Sequence, residues 1–261
     1  MTQKNALIGH TGFVGGFLKK AMSFSDFFNS QNIEDIKGQS FDAVICAGIS
    51  AVKWMANKEP EKDRQAIARL QECLSTVSAK RFIHISTVDV FLNPDGVDEN
   101  SPVIEEGLHP YGLHRYQFEN FVRETFSSAT IMRFPALFGS GLRKNALYDL
   151  LHDNCLDQIS RQGVFQWYDL KRLPSDIEKA QGLSLVHFPT EPLKMSRIID
   201  ELFPEKKGVG HDNPAARYNL HTCYAERFGG RGPYLASADE VMEEMRGWIK
   251  EERNLNKGSA S

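Results

Sequence analysis

Leu-Ile-Gly-His-Thr-Gly-Phe-Val-Gly-Gly, residues 7–16, decides the fold of this chain. The apolar run Ala6-Leu7-Ile8 reads as a short buried strand that delivers the backbone straight into Gly9. Gly9, Gly12 and Gly15 then recur every third residue, while Phe13, Val14, Phe17 and Leu18 begin an amphipathic helix. A strand, a glycine turn and a helix N-terminus together form an anion site. The turn lets backbone N–H groups approach a pyrophosphate, and the helix end adds partial positive charge. The spacing GxxGxxG, between strand and helix, therefore predicts dinucleotide binding by residues 9–15: Gly9, His10, Thr11, Gly12, Phe13, Val14 and Gly15. The alternative is a tight strand–helix packing turn without a ligand.

The chain around this motif has 261 residues, enough for one α/β domain with an elaboration, or for a large and a small lobe. Its 41 % hydrophobic and 25 % charged residues match an ordinary globular protein. A net charge of −3 argues against nucleic acid or an anionic membrane as partner. No apolar run approaches the ~18–20 residues that cross a bilayer. The start, Met1 to Asn5, opens directly into the first strand, so no signal peptide is expected and a cytoplasmic location follows. Cys46, Cys73, Cys155 and Cys223 form no CxxC pair, and Cys46 and Cys73 read as small core residues. The histidines show no HxxxH or HExxH spacing, so no metal site is expected.

Strand-like and helix-like runs alternate outward from the glycine turn. Phe24–Phe28, Phe41–Gly48, Arg81–Ser86 and Ala129–Phe134 read as strands, and Asp63–Val77 and Tyr111–Phe126 as helices. This alternation predicts a Rossmann-type doubly wound parallel sheet with helices on both faces and a small C-terminal substrate lobe. Further on, Asn145–Leu156 reads as a helix, Val164–Tyr168 and Leu183–Phe188 as strands, and Ser196–Leu202 and Ser237–Glu252 as helices. Residues 1–138, with about 164–190, are assigned to the dinucleotide-binding domain. Residues 139–261 are assigned mainly to the substrate lobe, with a disordered tail from Asn254.

Ligands of such sheets bind at the C-terminal strand ends, where strand order reverses. There lie Ala47-Gly48, small enough for a dinucleotide to cross close to the backbone, and Ser86-Thr87-Val88-Asp89-Val90-Phe91. The helix that follows begins His109-Pro110-Tyr111-Gly112-Leu113-His114-Arg115. Together these stretches resemble the extended short-chain dehydrogenase/reductase superfamily, in its epimerase/dehydratase branch acting on nucleotide sugars. The resemblance covers about the first 140 residues. Gly9, Gly12 and Gly15 match the family's glycine motif, and Ser86 to Phe91 resembles Ser-Ser/Thr-x-x-Val-Tyr. Pro110 to Arg115 resembles Pro-Tyr-Gly-x-Ser-Lys, and Arg133-Phe134-Pro135-Ala136-Leu137-Phe138-Gly139 resembles a segment beside the nicotinamide.

The resemblance implies Tyr111 as catalytic acid/base, Thr87 as the hydroxyl that orients the reacting oxygen, and Arg115 in place of the family's lysine. It also implies cofactor contacts from Ser86, Arg115 and Pro135. A tyrosine of free pKa ~10 is a poor base at pH 7 unless positive charge lowers it. A guanidinium at position 115 is expected to do so and to donate to the cofactor ribose, but it is bulkier and cannot pass a proton. Two other departures stand out. Ile67 occupies a position where the family often has Asn. Val88-Asp89 replaces the Asp-Glu pair of dehydratases, which argues against dehydration.

NAD-specific relatives carry a carboxylate after the second strand, whereas this chain has Asn29 and Ser30 there and no evident arginine. NAD or NADP is thus expected, with a lean to NADP. Lys53, Asp89 and Asn145 are candidate substrate contacts. Against that, Lys53 also reads as a solvated loop lysine and Asp89 as a local cap. The expected activity is NAD(P)-dependent oxidation, reduction or epimerisation of a nucleotide-linked sugar or related keto or hydroxy carbohydrate, with a homodimer weakly implied. The alternatives are a non-catalytic dinucleotide-binding sensor and a reductase of small carbonyl compounds.

Overall fold

The computed structural model describes residues 3–258, with side chains as far as 255. In chain order the elements are β1 (Asn5–Ile8), α1 (Phe13–Ala21), β2 (Asp26–Phe28), β3 (Ser40–Cys46), α2 (Lys53–Lys58), α3 (Pro60–Leu74), β4 (Ser78–Thr87), α4 (Pro110–Thr125) and β5 (Ala129–Phe134). They continue as β6 (Ala136–Phe138), α5 (Ala146–His152), β7 (Val164–Phe165), β8 (Trp167–Asp169), α6 (Leu173–Lys179), β9 (Leu185–His187), β10 (Leu193–Lys194), α7 (Met195–Leu202) and α8 (Ala238–Gly258). Two units divide the chain. One holds the residues up to Asn93 with Glu99–Phe134 and Ile177–His187, and the other holds Pro94–Asp98, Pro135–Asp176 and the residues from Phe188 onward.

The first unit is built on a six-stranded sheet of order β2-β1-β3-β4-β5-β9, parallel throughout. Its continuous apolar strands fit a sheet covered on both faces. Strand order reverses between β1 and β3, which pair with Ile8 opposite Cys46. The loops after these two strands therefore flank the switch point where doubly wound sheets bind ligands. On one side of α3, Ile67, Leu70, Cys73 and Leu74 are buried and join Phe82, Phe118 and Val122 in the core. The helix starts earlier than the apolar periodicity implies, because Pro60 occupies its first turn with Glu61 and Asp63 behind it.

Polar groups are also buried in this unit, and they are paired. Glu119 of α4 has no exposed side-chain surface. Both its oxygens accept from Arg133 Nε of β5, at 2.9 and 3.2 Å, and Ser86 Oγ of β4 donates to it at 2.6 Å. Burial raises the Glu119 pKa, but Arg133 and Ser86 outweigh burial and hold it below the usual carboxylate value. This ion pair fastens one helix to two neighbouring strands. His84 of β4 is buried edge-on to Phe118, with ring centroids 4.9 Å apart. Burial lowers its pKa to about 4.

The second unit has two small sheets, antiparallel β10-β7 and parallel β6-β8. Its core gathers Phe138, Leu150, Trp167 and Ile198 with Val241, Met245 and Trp248 of α8. Three sequence expectations need correction here. Val164–Tyr168 is two strands in different sheets, split at Gln166. That buried amide donates to Thr190 O and Leu220 O and accepts from Leu220 N–H, so the chain turns to make three backbone bonds. The helix expected over Asn145–Leu156 stops at His152, because Asp153 takes a left-handed φ of 53° and Cys155 one of 45°. The tail expected to be disordered from Asn254 is helical to Gly258, with Arg253 paired to Glu205; residues 259–261 lie outside the described residues.

Two outcomes are expected. The His84 pKa lies below its unfolded value of 6.5, so its contribution is complete above pH 6.5 and is lost as pH falls toward about 4. His84→Leu should therefore flatten the fall in stability between those values by on the order of 3 kcal/mol, read from urea unfolding at each pH. Glu119→Ala should cost about 3–5 kcal/mol by leaving Arg133 buried and uncompensated. Adding Arg133→Met should recover most of that loss, and a double variant no more stable than Glu119→Ala would contradict this account.

Candidate functional site

Backbone close approaches build the switch point. Gly9 follows β1 with φ +86°, and a Cβ there would sit 2.3 Å from Ala47 O. A Cβ on Gly15 would sit 2.1 Å from Gly9 O, and one on Gly48 2.8 Å from Ile8 Cγ2. Only glycine lets the ends of β1 and β3 and the start of α1 meet this closely. Gly12 is the N-cap of α1 and donates its N–H to Gly9 O at 3.0 Å. It supplies no side-chain cap, and the first turn, opened by Phe13 and Val14, carries no acidic residue. This glycine cradle at an uncapped helix start fits a dinucleotide pyrophosphate. Thr11 is exposed at its rim. His10 lies edge-on to Phe27 with centroids 5.7 Å apart, and its Nε2 is 3.3 Å from Asn29 Nδ2. Burial and Lys19 lower its pKa below the usual imidazole value.

After β2, Asn29 Oδ1 accepts the Gln31 N–H at 2.8 Å, and the Asn29 N–H donates to Asn32 Oδ1 at 2.7 Å. Arg69 of α3 donates to Ser30 O at 3.1 Å and to Glu34 at 2.8 Å. A cation thus reaches this turn, contrary to the sequence expectation of none. Arg69 lies 39 residues away in the chain, and no local pattern marks the contact.

A second cluster forms where β4 ends and α4 begins. Thr87 closes β4, and its Oγ1 accepts the Asp89 N–H at 3.1 Å. His109 caps α4, its Nδ1 accepting the Gly112 N–H at 3.0 Å, so the neutral ring carries its proton on Nε2. Gly112 lets the helix touch the strand end, since a Cβ there would lie 2.1 Å from Asp89 O. The Tyr111 N–H donates to Asn57 Oδ1 at 3.0 Å. The Thr87 side chain hydrogen-bonds the Tyr111 hydroxyl.

Arg115 is almost fully buried. Its Cζ lies over the Tyr111 ring, 3.9 Å from the centroid. Its Nη1 donates to Asp63 Oδ2 at 2.6 Å and to Tyr111 O at 3.2 Å. Its Nη2 donates to Asp63 Oδ1 at 2.9 Å and to Ser50 O at 2.5 Å. His114 Nδ1 is 2.8 Å from the same Asp63 carboxylate. Burial would raise the Asp63 pKa, but Arg115 and His114 together hold it below the usual value. The Tyr111 pKa is raised: burial dominates, Asp89 adds to it, and Arg115 and Thr87 oppose it without prevailing. Arg115 thus acts in the expected direction, by its charge and by a hydrogen bond, but burial of the phenol outweighs it.

Lys53 opens α2 rather than standing in a loop, and its Nζ meets Asp89 Oδ1 at 2.8 Å. Ala47 and Gly48 line the cradle, whereas the Ser86 hydroxyl is turned to Glu119 and bonded there. Pro135 and Asn145 belong to the second unit. The Asn145 amide caps α5, accepting from Leu147 and Tyr148 N–H at 3.0 and 3.1 Å and donating to Leu137 O at 3.0 Å. Ile67 is a buried core residue. Sequence reasoning missed Asp63, which pairs across 52 residues, and Glu119. Their one signal was a charged residue on the apolar face of a helix.

Among the described residues no helix is long and apolar enough to cross a membrane, and no cluster of His, Cys, Asp and Glu could hold a metal ion. No match was found among curated proteins. Solved structures share the fold. The UDP-N-acetylglucosamine 4-epimerase of Methanobrevibacter ruminantium, in complex with UDP-N-acetylmuramic acid, is 15 % identical with a TM-score of 0.71, over 95 % of this chain and 97 % of that one. The UDP-glucuronic acid 4-epimerase of Bacillus cereus, in complex with NAD, is 15 % identical with a TM-score of 0.71, over 95 % and 99 %. The dTDP-4-dehydrorhamnose reductase of Bacillus anthracis, in complex with NADP, is 17 % identical with a TM-score of 0.70, over 96 % and 99 %. The profile of one family matches residues 17–159, more than half of the chain, including Thr87, Tyr111 and Arg115. With the parallel sheet, the glycine cradle and the tyrosine cluster, that match makes the chain a member of the NAD dependent epimerase/dehydratase family, an enzyme of the short-chain dehydrogenase/reductase type.

Proposed function

We propose that the protein binds NAD or NADP and oxidises, reduces or epimerises a nucleotide-linked sugar or a related keto or hydroxy carbohydrate. One observation carries the reading: α4 sets Tyr111 against Thr87 at the C-terminal edge of the sheet that also carries the glycine cradle. A bound nicotinamide supplies or accepts the hydride. The protein's own groups manage the proton and the geometry. Tyr111 exchanges a proton with the substrate oxygen, and Thr87 orients that oxygen. Backbone N–H groups of residues 13–15 hold the pyrophosphate, while Ala47 and Gly48 leave room for the dinucleotide to cross. Lys53 and Asp89, paired at 2.8 Å, offer substrate hydroxyls a donor and an acceptor.

The lean toward NADP draws support from the turn after β2. Asn29 stands where a carboxylate would repel a 2′-phosphate, and Arg69 reaches Ser30 O. Similarity to nucleotide-sugar epimerases and a reductase supports the substrate class.

Titration of the protein with NADH and NADPH, followed by cofactor fluorescence, should show binding of both and tighter binding of NADPH. Gly15→Ala should abolish binding, because its Cβ would meet Gly9 O at 2.1 Å. Tyr111→Phe should keep cofactor affinity within about twofold and lower turnover on nucleotide sugars and keto sugars by ~10²–10⁴. Absence of dinucleotide binding, or full turnover by Tyr111→Phe, would overturn the reading.

A further inference from the structure

His109 starts the helix that carries Tyr111, and its cap bond accounts for only one of its two ring nitrogens. Asn, Asp, Ser and Thr are the usual caps, because a short side-chain oxygen reaches the N–H two or three residues on. Here the acceptor is His109 Nδ1, 3.0 Å from the Gly112 nitrogen. Nδ1 therefore bears no proton, and the ring proton stays on Nε2. The ring also rests against the first turn of α4, where a Cβ on Gly112 would lie 3.1 Å from His109 Cε1. The Tyr111 ring lies 6.2 Å away between centroids, tilted by 49°. Held in this way, the imidazole has its place and its tautomer fixed before any ligand arrives.

What remains is a donor. His109 is half-buried, and among the described residues no acceptor meets its Nε2–H. Charged groups face it from two other elements: Lys53 of α2 and Asp89 after β4, paired with each other at 2.8 Å. Arg115 of its own helix acts on it more weakly. Burial and Lys53 hold the imidazole pKa below its usual value, against the pull of Asp89. We propose that His109 is a substrate-binding residue whose Nε2–H donates to a hydroxyl or carbonyl oxygen of the sugar, next to the carbon that reacts. An uncharged, immobile N–H suits an uncharged sugar oxygen. Little side-chain freedom is lost on binding, and no charge has to be stripped of water. Lys53 Nζ is a second donor and Asp89 an acceptor, so neighbouring sugar hydroxyls meet partners of both kinds. The inference rests on the reading of Tyr111 and Thr87 as the groups that meet the reacting oxygen. It adds the side chain that sets how the sugar ring turns toward them.

His109→Asn separates the cap from the donor, since an Asn amide oxygen caps the helix but its shorter side chain does not reproduce the Nε2–H. Calorimetry with saturating NADP or NAD measures binding of UDP-glucose, UDP-N-acetylglucosamine and dTDP-glucose. Each is compared with its free nucleoside diphosphate, so the difference isolates the sugar. At least one nucleotide sugar should bind more tightly than its nucleotide. His109→Asn should weaken that sugar by about three- to tenfold, the worth of one uncharged hydrogen bond, and leave the free nucleotide and the dinucleotide within about twofold. In the wild-type protein, long-range proton–nitrogen NMR spectra of the imidazoles should show His109 as the Nε2–H tautomer. Its Nε2 signal should move on addition of the sugar nucleotide and not of the nucleotide alone. Undiminished sugar binding by His109→Asn, a proton found on Nδ1, or an Nε2 signal unmoved by a sugar that binds overturns the proposal. So does a loss shared equally by the free nucleotide, which marks a general distortion of the helix start. Binding of none of these sugars counts against the nucleotide-sugar reading itself, whereas a bound sugar that leaves His109 unaffected overturns this inference alone. The wild-type spectra do not depend on the folding of any variant.

Discussion

The buried ion pair between Glu119 and Arg133 is the contact on which the edge of the sheet that bears Thr87 depends. It ties α4 to β5, and Ser86 Oγ ties the same carboxylate to β4 at 2.6 Å. Thr87 follows Ser86 directly, and Tyr111 and Arg115 lie on the helix that carries Glu119. A shift of the helix along the strands would thus break charge-assisted hydrogen bonds in a place that water does not reach. Burying two charges is costly unless each is paired and hydrogen-bonded, and this pair satisfies that condition. The close approach at Gly112 completes the arrangement by letting the helix start touch the backbone at Asp89.

Two kinds of constraint thus meet at one sheet edge. At the switch point the constraint is steric: glycines at 9, 15 and 48 remove every Cβ that would hold β1, β3 and α1 apart. At the end of β4 it is electrostatic, since Asp63 pairs with Arg115 and His114, and Asp89 with Lys53, around a tyrosine. The first arrangement suits a ligand that presents oxygen anions to backbone N–H groups.

Arg115 does more at this site than present a positive charge. A guanidinium offers two flat forks of donors, and one fork fits a carboxylate side by side. Asp63 provides that carboxylate, and its second partner is His114. The three residues form one unit, so the character of the site follows from the group and not from Arg115 alone.

Several features were determined by the sequence itself. The alternating apolar runs, the GxxGxxG turn and the order of the motifs around Thr87 and Tyr111 identified a parallel doubly wound sheet with a dinucleotide cradle. These are local patterns: they depend on strand and helix periodicity and on the conformations open only to glycine. Cys46, Cys73 and Ile67 were legible as core or apolar residues for the same reason. Only the tertiary structure decided which charges face one another. Asp63 meets Arg115 across 52 residues, and Arg69 reaches Ser30 across 39. The Ser86 hydroxyl turns toward Glu119, and the Asn145 amide caps a helix. A charged side chain at a given position shows no sign in the sequence of where its partner lies, because that pairing is set by packing between elements distant in the chain. The glycines of residues 7–16 could therefore be read directly, whereas the partners of Arg115 could not.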